Sequence, residues 1–113
     1  MNLVPRAMLK EAAHRFQLLG EPVRLEILNL LQVNTEMNVQ QIVEATGQSH
    51  ANVSKHLRLM ASAGLVGRRK EGLYAFYRIA DPSLSGLCLL VCSQLERGAL
   101  SAEDASAAAE KHG

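Results

Sequence analysis

Ser49-His50-Ala51-Asn52-Val53-Ser54-Lys55-His56-Leu57 acquires two unlike sides once it is wound at about 3.6 residues per turn. Val53, Leu57 and, further on, Met60 fall on one side, while Ala51, Ser54, Lys55 and Arg58 gather on the other, with His50 at the border in the first turn. Ser49 suits the N-cap, where its hydroxyl accepts from an unpaired N–H of the first turn, and Gly64 supplies a left-handed stop. One side is made to pack. The other carries short side chains near its N-terminal end and then two long cations, which allows close approach to base edges with phosphate contacts beside it. His56 borders the apolar side. Two roles are open to it there, a buried hydrogen-bonded histidine or a phosphate contact, and its place favours the first.

Upstream, Val39, Ile42 and Val43 make one face of a short helix that Gly47 stops, so two helices are joined by about three residues, a tight helix-turn-helix connection. Downstream of Gly64 the period moves toward 2. Leu65, Val66 and the trio Arg68, Arg69 and Lys70 lead to the turn residues Glu71 and Gly72. The return strand, Leu73 to Ile79, holds Tyr74, Phe76 and Tyr77, residue types that fit a half-buried pleated surface. Helix, turn, helix and basic hairpin is the order of a winged helix-turn-helix, whose second helix enters a major groove. The wing is expected to lay Arg68, Arg69 and Lys70 along a minor groove or the backbone, positioning more than specifying, so that loss of any one flattens the salt dependence by about one unit. An ordinary amphipathic helix would give the same wheel but leave this hairpin unexplained.

Further out, Pro5 to Leu19 has helical spacing in Met8, Leu9, Ala12, Ala13 and Phe16. Pro22 starts a second helix with Val23, Ile27, Leu28, Leu30 and Leu31 inward and Arg24 and Glu26 toward solvent; Asn34 to Asn38 reads as polar connection. After Asp81 and Pro82, Ser83 to about Arg97 places Leu84, Leu87, Cys88, Val91, Cys92 and Leu95 on one stripe flanked by Leu89 and Leu90. A small monomer has few places to bury such a helix, which implies a dimer built partly on it. The reading is mainly α with a small β-hairpin: a winged helix-turn-helix of five main helices forming a homodimer. Residues 1–98 would be the DNA-binding and dimerisation domain. The Ala/Ser/acid-rich tail 99–113, with Ser101 and Asp104 as a weak capping box, would be a short helix or a frayed end.

Composition sets the outer bounds. A chain of 113 residues with 48% apolar and 20% charged residues and a net charge of +1 is one domain's worth of foldable sequence rather than a disordered one. It contains neither a spanning segment nor an export signal, so a soluble, cytoplasmic protein is expected. The small net charge hides an asymmetry. Between Gly47 and Ala80 stand Lys55, Arg58, Arg68, Arg69, Lys70 and Arg78 against the single acid Glu71, a net of +5 that leaves −4 for the rest. A basic third inside an acidic remainder is the footprint of a surface that meets phosphate.

Leu19-Gly20-Glu21-Pro22-Val23-Arg24-Leu25-Glu26-Ile27-Leu28, Ser49 to Leu57, Ala63-Gly64-Leu65-Val66, Arg69-Lys70-Glu71-Gly72 and Phe76-Tyr77-Arg78-Ile79, in that order, resemble the ArsR/SmtB bacterial repressors over about residues 10 to 95. The resemblance implies a homodimeric winged-helix repressor, paired through its first and last long helices, that leaves its operator when an inducer binds. It puts the reading positions on Ser49, His50, Ala51, Ser54 and Lys55. The family's metal sites are not matched. One needs a Cys-x-Cys pair where this chain has Asn38-Val39-Gln40. The other uses Asp and His; Asp81 is present, but Ser83 stands at the histidine position, Gln94 and Arg97 occupy the later ones, and no histidine lies between His56 and His112. No metal ligand set and no cofactor are expected.

Cys88 and Cys92 are the remaining candidate sensor, one helical turn apart. As small hydrophobes they satisfy the apolar stripe without any chemistry. As thiols, they are poorly spaced for a bond within one intact helix but able to converge with a partner's pair across a twofold. This allows inter-subunit disulfide or polysulfide formation, or a thiolate site for a soft ion or trivalent arsenic. A thiol-responsive repressor is the leading expectation, soft metal or metalloid sensing its nearest variant. A winged-fold protein-interaction module would have lost the basic wing, and an enzyme would show a partnered nucleophile or phosphate loop; neither signature is present.

Overall fold

The computed structural model describes residues 3–84, 86 and 90–98. The chain divides into two compact units, Met1–Asp81 and Pro82–Gly113.

In the first unit a short 3-10 turn, Arg6–Met8, precedes α1 (Leu9–Leu19). Helix α2 (Pro22–Asn34) begins with Pro22 in its first turn and Glu21 as its cap, the Glu21 carboxylate accepting from the Arg24 N–H at 2.9 Å. A two-residue strand, β1 (Met37–Asn38), leads into α3 (Val39–Thr46), whose start is a full capping box: Asn38 accepts from the Gln41 N–H while the Gln41 side chain accepts from the Asn38 N–H. Gly47 ends α3 at φ 74°, and after three residues α4 (His50–Ser62) starts on Ser49, which accepts from the Asn52 N–H at 3.1 Å. Helix α4 closes with two bonds back into its last turn, from Gly64 to the Ala61 carbonyl and from Leu65 to the Met60 carbonyl, with Gly64 at φ 77°. This paired closure needs a left-handed residue, which glycine supplies without a Cβ clash.

The wing is the antiparallel pair β2 (Val66–Glu71) and β3 (Tyr74–Ile79). Glu71 is the last paired residue of β2, opposite Tyr74, and so belongs to the strand rather than to the turn; the loop is Gly72–Leu73. Gly72 is at φ 60° and Leu73 is not at positive φ, the signature of a type II′ hairpin turn. Strand β1, expected as polar connection, pairs with the other edge of β3, Met37 opposite Tyr77 and Asn38 opposite Phe76, giving a three-stranded sheet in the order β1-β3-β2.

Helices α2, α3 and α4 pack on one another and on this sheet. Ile27, Leu31, Ile42, Val53, Leu57, Met60 and Leu65 are fully buried, with Met37, Val66 and Tyr77 closing the sheet side. The α1 stripe behaves differently: Leu18 is buried, but Met8, Leu9 and Phe16 are each more than half exposed in the single chain.

In the second unit, residues 83, 84, 86 and 90–98 are helical, and the described run 90–98 is called α5. Leu84 is buried, whereas Leu90, Val91, Cys92 and Leu95 are exposed. Among the described residues no helix is long and apolar enough to cross a membrane. The stripe residues Leu87, Cys88 and Leu89 and the tail 99–113 lie outside the described residues.

Candidate nucleic-acid interface

Helix α4 separates its two roles by periodicity. Val53, His56, Leu57 and Met60 are buried, while His50, Ala51, Lys55 and Arg58 are exposed and Ser54 is half-buried. Its orientation is set by the turn that precedes it. The Thr46 hydroxyl donates to the Ile42 carbonyl and accepts from the Gln48 N–H, and the Asn52 amide donates to the Gln48 side chain at 2.8 Å. Ser49, expected at the interface, thus spends one lone pair on the cap, yet its own hydroxyl hydrogen stays available for an outside acceptor. His50 and Ser54 lie a turn apart, with His50 Nδ1 and Ser54 Oγ at 3.4 Å.

His56 is buried and bonded on the inner side of α4, which removes it from phosphate. Its partner is Arg24. Rather than facing solvent as expected, Arg24 folds inward, donating to the Leu18 carbonyl at 2.6 Å and to His56 Nδ1 at 3.1 Å. The reason is unmet acceptors at the α1–α2 corner, where the last carbonyls of α1 have no helical donor. A guanidinium has no lone pair to offer, so Nδ1 must accept and the neutral ring carries its proton on Nε2. Burial lowers the His56 pKa below its ordinary value, Arg24 and Lys55 push the same way, and Glu21 opposes them.

In the wing the three consecutive cations part company, because neighbouring residues of a strand point to opposite faces. Arg68 and Lys70 share the face of Val66 and Tyr77 and are exposed beyond the core. Arg69 points to the opposite face and is paired there. Its guanidinium donates to both oxygens of Glu36, at 2.7 and 3.2 Å, and to Glu71 at 2.7 Å, and stands 5.0 Å from the centroid of the Phe76 ring. These carboxylates raise the Arg69 pKa further above the arginine range, Glu36 contributing most, and the hydrogen bond from Arg69 lowers that of Glu36. On that same face Gly67 leaves room for Arg78. A Cβ there would lie 3.0–3.2 Å from the Arg78 guanidinium, which crosses β2 at this point.

Among the described residues no ion pair engages Lys55, Arg58, Arg68 or Lys70. The sequence reading missed two contributors, Arg24 and Glu36. Their partners lie 32 and 33 residues away, and no local pattern announces such pairs. Leu73 at the wing tip is a third surface feature that periodicity did not single out, an apolar side chain almost wholly exposed.

Residues 21–67, from the cap of α2 to the second residue of β2, match the sequence model of the family described as "Bacterial regulatory protein, arsR family". An uncharacterised HTH-type transcriptional regulator of Methanocaldococcus jannaschii is 38% identical over 82 residues, covering 73% of this chain and 92% of that one. The transcriptional repressor PagR of Bacillus anthracis is 30% identical over 83 residues, 74% of this chain and 83% of its own. Among solved structures, the homodimeric winged helix-turn-helix DNA-binding domain of a possible ArsR-family regulator from Mycobacterium bovis superposes with a TM-score of 0.72 at 34% identity, covering 85% of this chain and 90% of that domain.

Proposed function

Because the chain belongs to the bacterial ArsR family of transcriptional regulators, we propose that it is a homodimeric repressor whose two copies of α4 enter successive major grooves of a palindromic operator, and that it leaves the operator on a thiol-reactive signal. The observation that carries the DNA-binding reading is the division of α4. Its packing side is locked by Val53, His56, Leu57 and Met60. Its other side offers Lys55 and Arg58, which join Arg68 and Lys70 of the wing in having no ion pair among the described residues. In this reading His50, Ala51 and Ser54 approach base edges, Ser49 and Lys55 serve base or backbone, and Arg58, Arg68 and Lys70 meet phosphates. Palindromic half-sites one helical turn apart would require the two α4 helices to stand about 34–36 Å apart.

Dimerisation through α1 and α5 is supported by their apolar surface. Met8 just before α1, Leu9 and Phe16 on α1, and Leu90, Val91 and Leu95 on α5 are each half or more exposed in one chain, and surface of that kind is typical of association interfaces. The Mycobacterium bovis domain is homodimeric, which supports a dimer without saying which helices form it.

The signal is assigned to Cys88 and Cys92. Cys92 is exposed in the single chain, so at the proposed interface its thiol would face the partner subunit. Two thiols on facing subunits would each give up a proton and together two electrons to an oxidant, forming an inter-subunit disulfide that re-spaces the α4 helices. Coordination of a soft ion or trivalent arsenic by the same thiolates is the variant.

The test measures operator affinity of the wild type, Cys88→Ser and Cys92→Ser, first reduced and then with oxidant, polysulfide or arsenite. A steep fall of affinity with salt is expected for all three when reduced. Release by oxidant or polysulfide is expected for the wild type and is expected to be lost in any mutant that lacks a bonded thiol, and release by arsenite alone would select the variant. An unchanged response in both mutants would take the cysteines out of the mechanism.

A further inference from the structure

The three consecutive cations of β2 differ in what they can still bind. Arg68 and Lys70 have no ionic partner among the described residues. Arg69 has two carboxylates and an aromatic ring; with Glu36 and Glu71 it makes a cluster of net charge −1, which Arg78 on the same face brings to zero. A cluster balanced in this way has no net attraction for phosphate.

The partner Glu36 is also placed at a conformational cost. Thr35, just before it, is at φ 69° and ψ −53°, with the Glu36 N–H donating to the Asn34 carbonyl at 2.8 Å. That is a γ-turn of the rare, strained hand, carried by a β-branched residue for which positive φ is unusual. Strain of this type persists only where surrounding contacts over-determine it. Here the contacts are the two-pronged Arg69 bond to Glu36 and the pairing of β1 with β3 one residue later. The pairing has a direct consequence. Asn38, the last residue of β1, is the cap of α3 and lies opposite Phe76, which itself pairs with Arg69. Arg69 therefore joins the wing to the residue run that starts the helix-turn-helix.

We infer that Arg69 is a positioning residue rather than a DNA contact: together with Glu36, Glu71 and Phe76 it clamps the wing to the start of α3 and so fixes where Arg68 and Lys70 stand relative to α4. The inference rests on the DNA-binding reading for its consequence but not for the clamp itself. A two-pronged guanidinium–carboxylate pair has defined geometry, and lysine, a single point donor, does not reproduce it.

The clamp has an unusual readout. Glu36→Gln removes an acid from a protein that binds a polyanion, which by charge alone strengthens binding; loss of the clamp weakens it. The experiment compares wild type, Glu36→Gln, Arg69→Ala, Arg69→Lys, the swap Glu36→Arg with Arg69→Glu, and Arg68→Ala. It reads duplex affinity across a salt series and, without DNA, amide hydrogen exchange in residues 68–76. Glu36→Gln, Arg69→Ala and Arg69→Lys are expected to raise wing exchange and weaken binding with the salt slope retained. The swap is expected to recover part of both effects. Arg68→Ala is expected to leave exchange unchanged and to flatten the slope by about 0.9 for each phosphate that the side chain neutralises in the wild type.

Tighter binding by Glu36→Gln, or a slope flattened by Arg69→Ala as much as by Arg68→Ala, would overturn the positioning role. Unchanged exchange in Glu36→Gln would overturn the clamp. Absence of duplex binding by the wild type at low salt would instead remove the DNA-binding reading, with the exchange data still deciding the clamp.

Discussion

Helix α4 and the wing are both cationic, yet they divide packing from recognition by different geometries. A helix returns to the same direction every three to four residues, so Val53, Leu57 and Met60 can be buried while Lys55 and Arg58 stay outside on the same element. A strand alternates at every residue, so a run of three cations cannot act as one group: Arg68 and Lys70 stay exposed on one face and Arg69 is turned to Glu36 and Glu71 on the other. Consecutive charge in a ribbon therefore does not add up to a single basic surface. Part of it faces the protein's own acids.

The contrast can be broken most severely on the inner side of α4. Leu57 is fully buried, and Leu57→Ala is expected to cost about 2–5 kcal/mol of unfolding free energy, measured by urea denaturation. A loss under about 1 kcal/mol would mean that α4 is not held by its packing side as described.

A smaller effect is expected at the end where packing passes into recognition. Ser49→Ala removes the cap on Asn52 and is expected to lower stability by about 1 kcal/mol. Ser49→Asp, which restores an acceptor, should recover the stability but not operator binding, because a carboxylate at that point repels phosphate. Recovery of both would mean that Ser49 does not approach the duplex.

The smallest effect distinguishes the two regions by pH. His56 on α4 has a lowered pKa, chiefly from burial, so below about 6.5, its ordinary value, the unfolded chain takes up a proton before the folded one does. Stability therefore rises with pH through the window just below that value and falls on acidification. Glu36 at the wing base also has a lowered pKa, chiefly from its bond with Arg69. Its contribution is in place above the ordinary carboxylate value of 4.5 and is lost only as pH drops through the lower folded value. Denaturant midpoints between about pH 5 and 7 should follow His56 alone of these two. His56→Asn, which keeps an acceptor near Nδ1 but does not titrate, should flatten that stretch and leave the acid limb unchanged.

Local chemistry determined a good deal. The two glycines and the serine that bound α4, the proline that opens α2, and the change of period at Leu65 depend only on residues within a turn or two, and each acts where the sequence places it. The outward side of α4 was legible for the same reason.

Tertiary structure decided what short spacing does not encode. Two residues, Met37 and Asn38, are too few for any periodicity and become a strand only because β3 offers them an edge. Arg24 turns inward because carbonyls at the end of α1 and a ring on α4 meet at one point, and Arg69 leaves the basic trio because the bend at Thr35 brings Glu36 to it. A side chain's direction along an element follows from its period, whereas its partner follows from which distant segments the packed core brings within about 3 Å, the reach of a hydrogen bond.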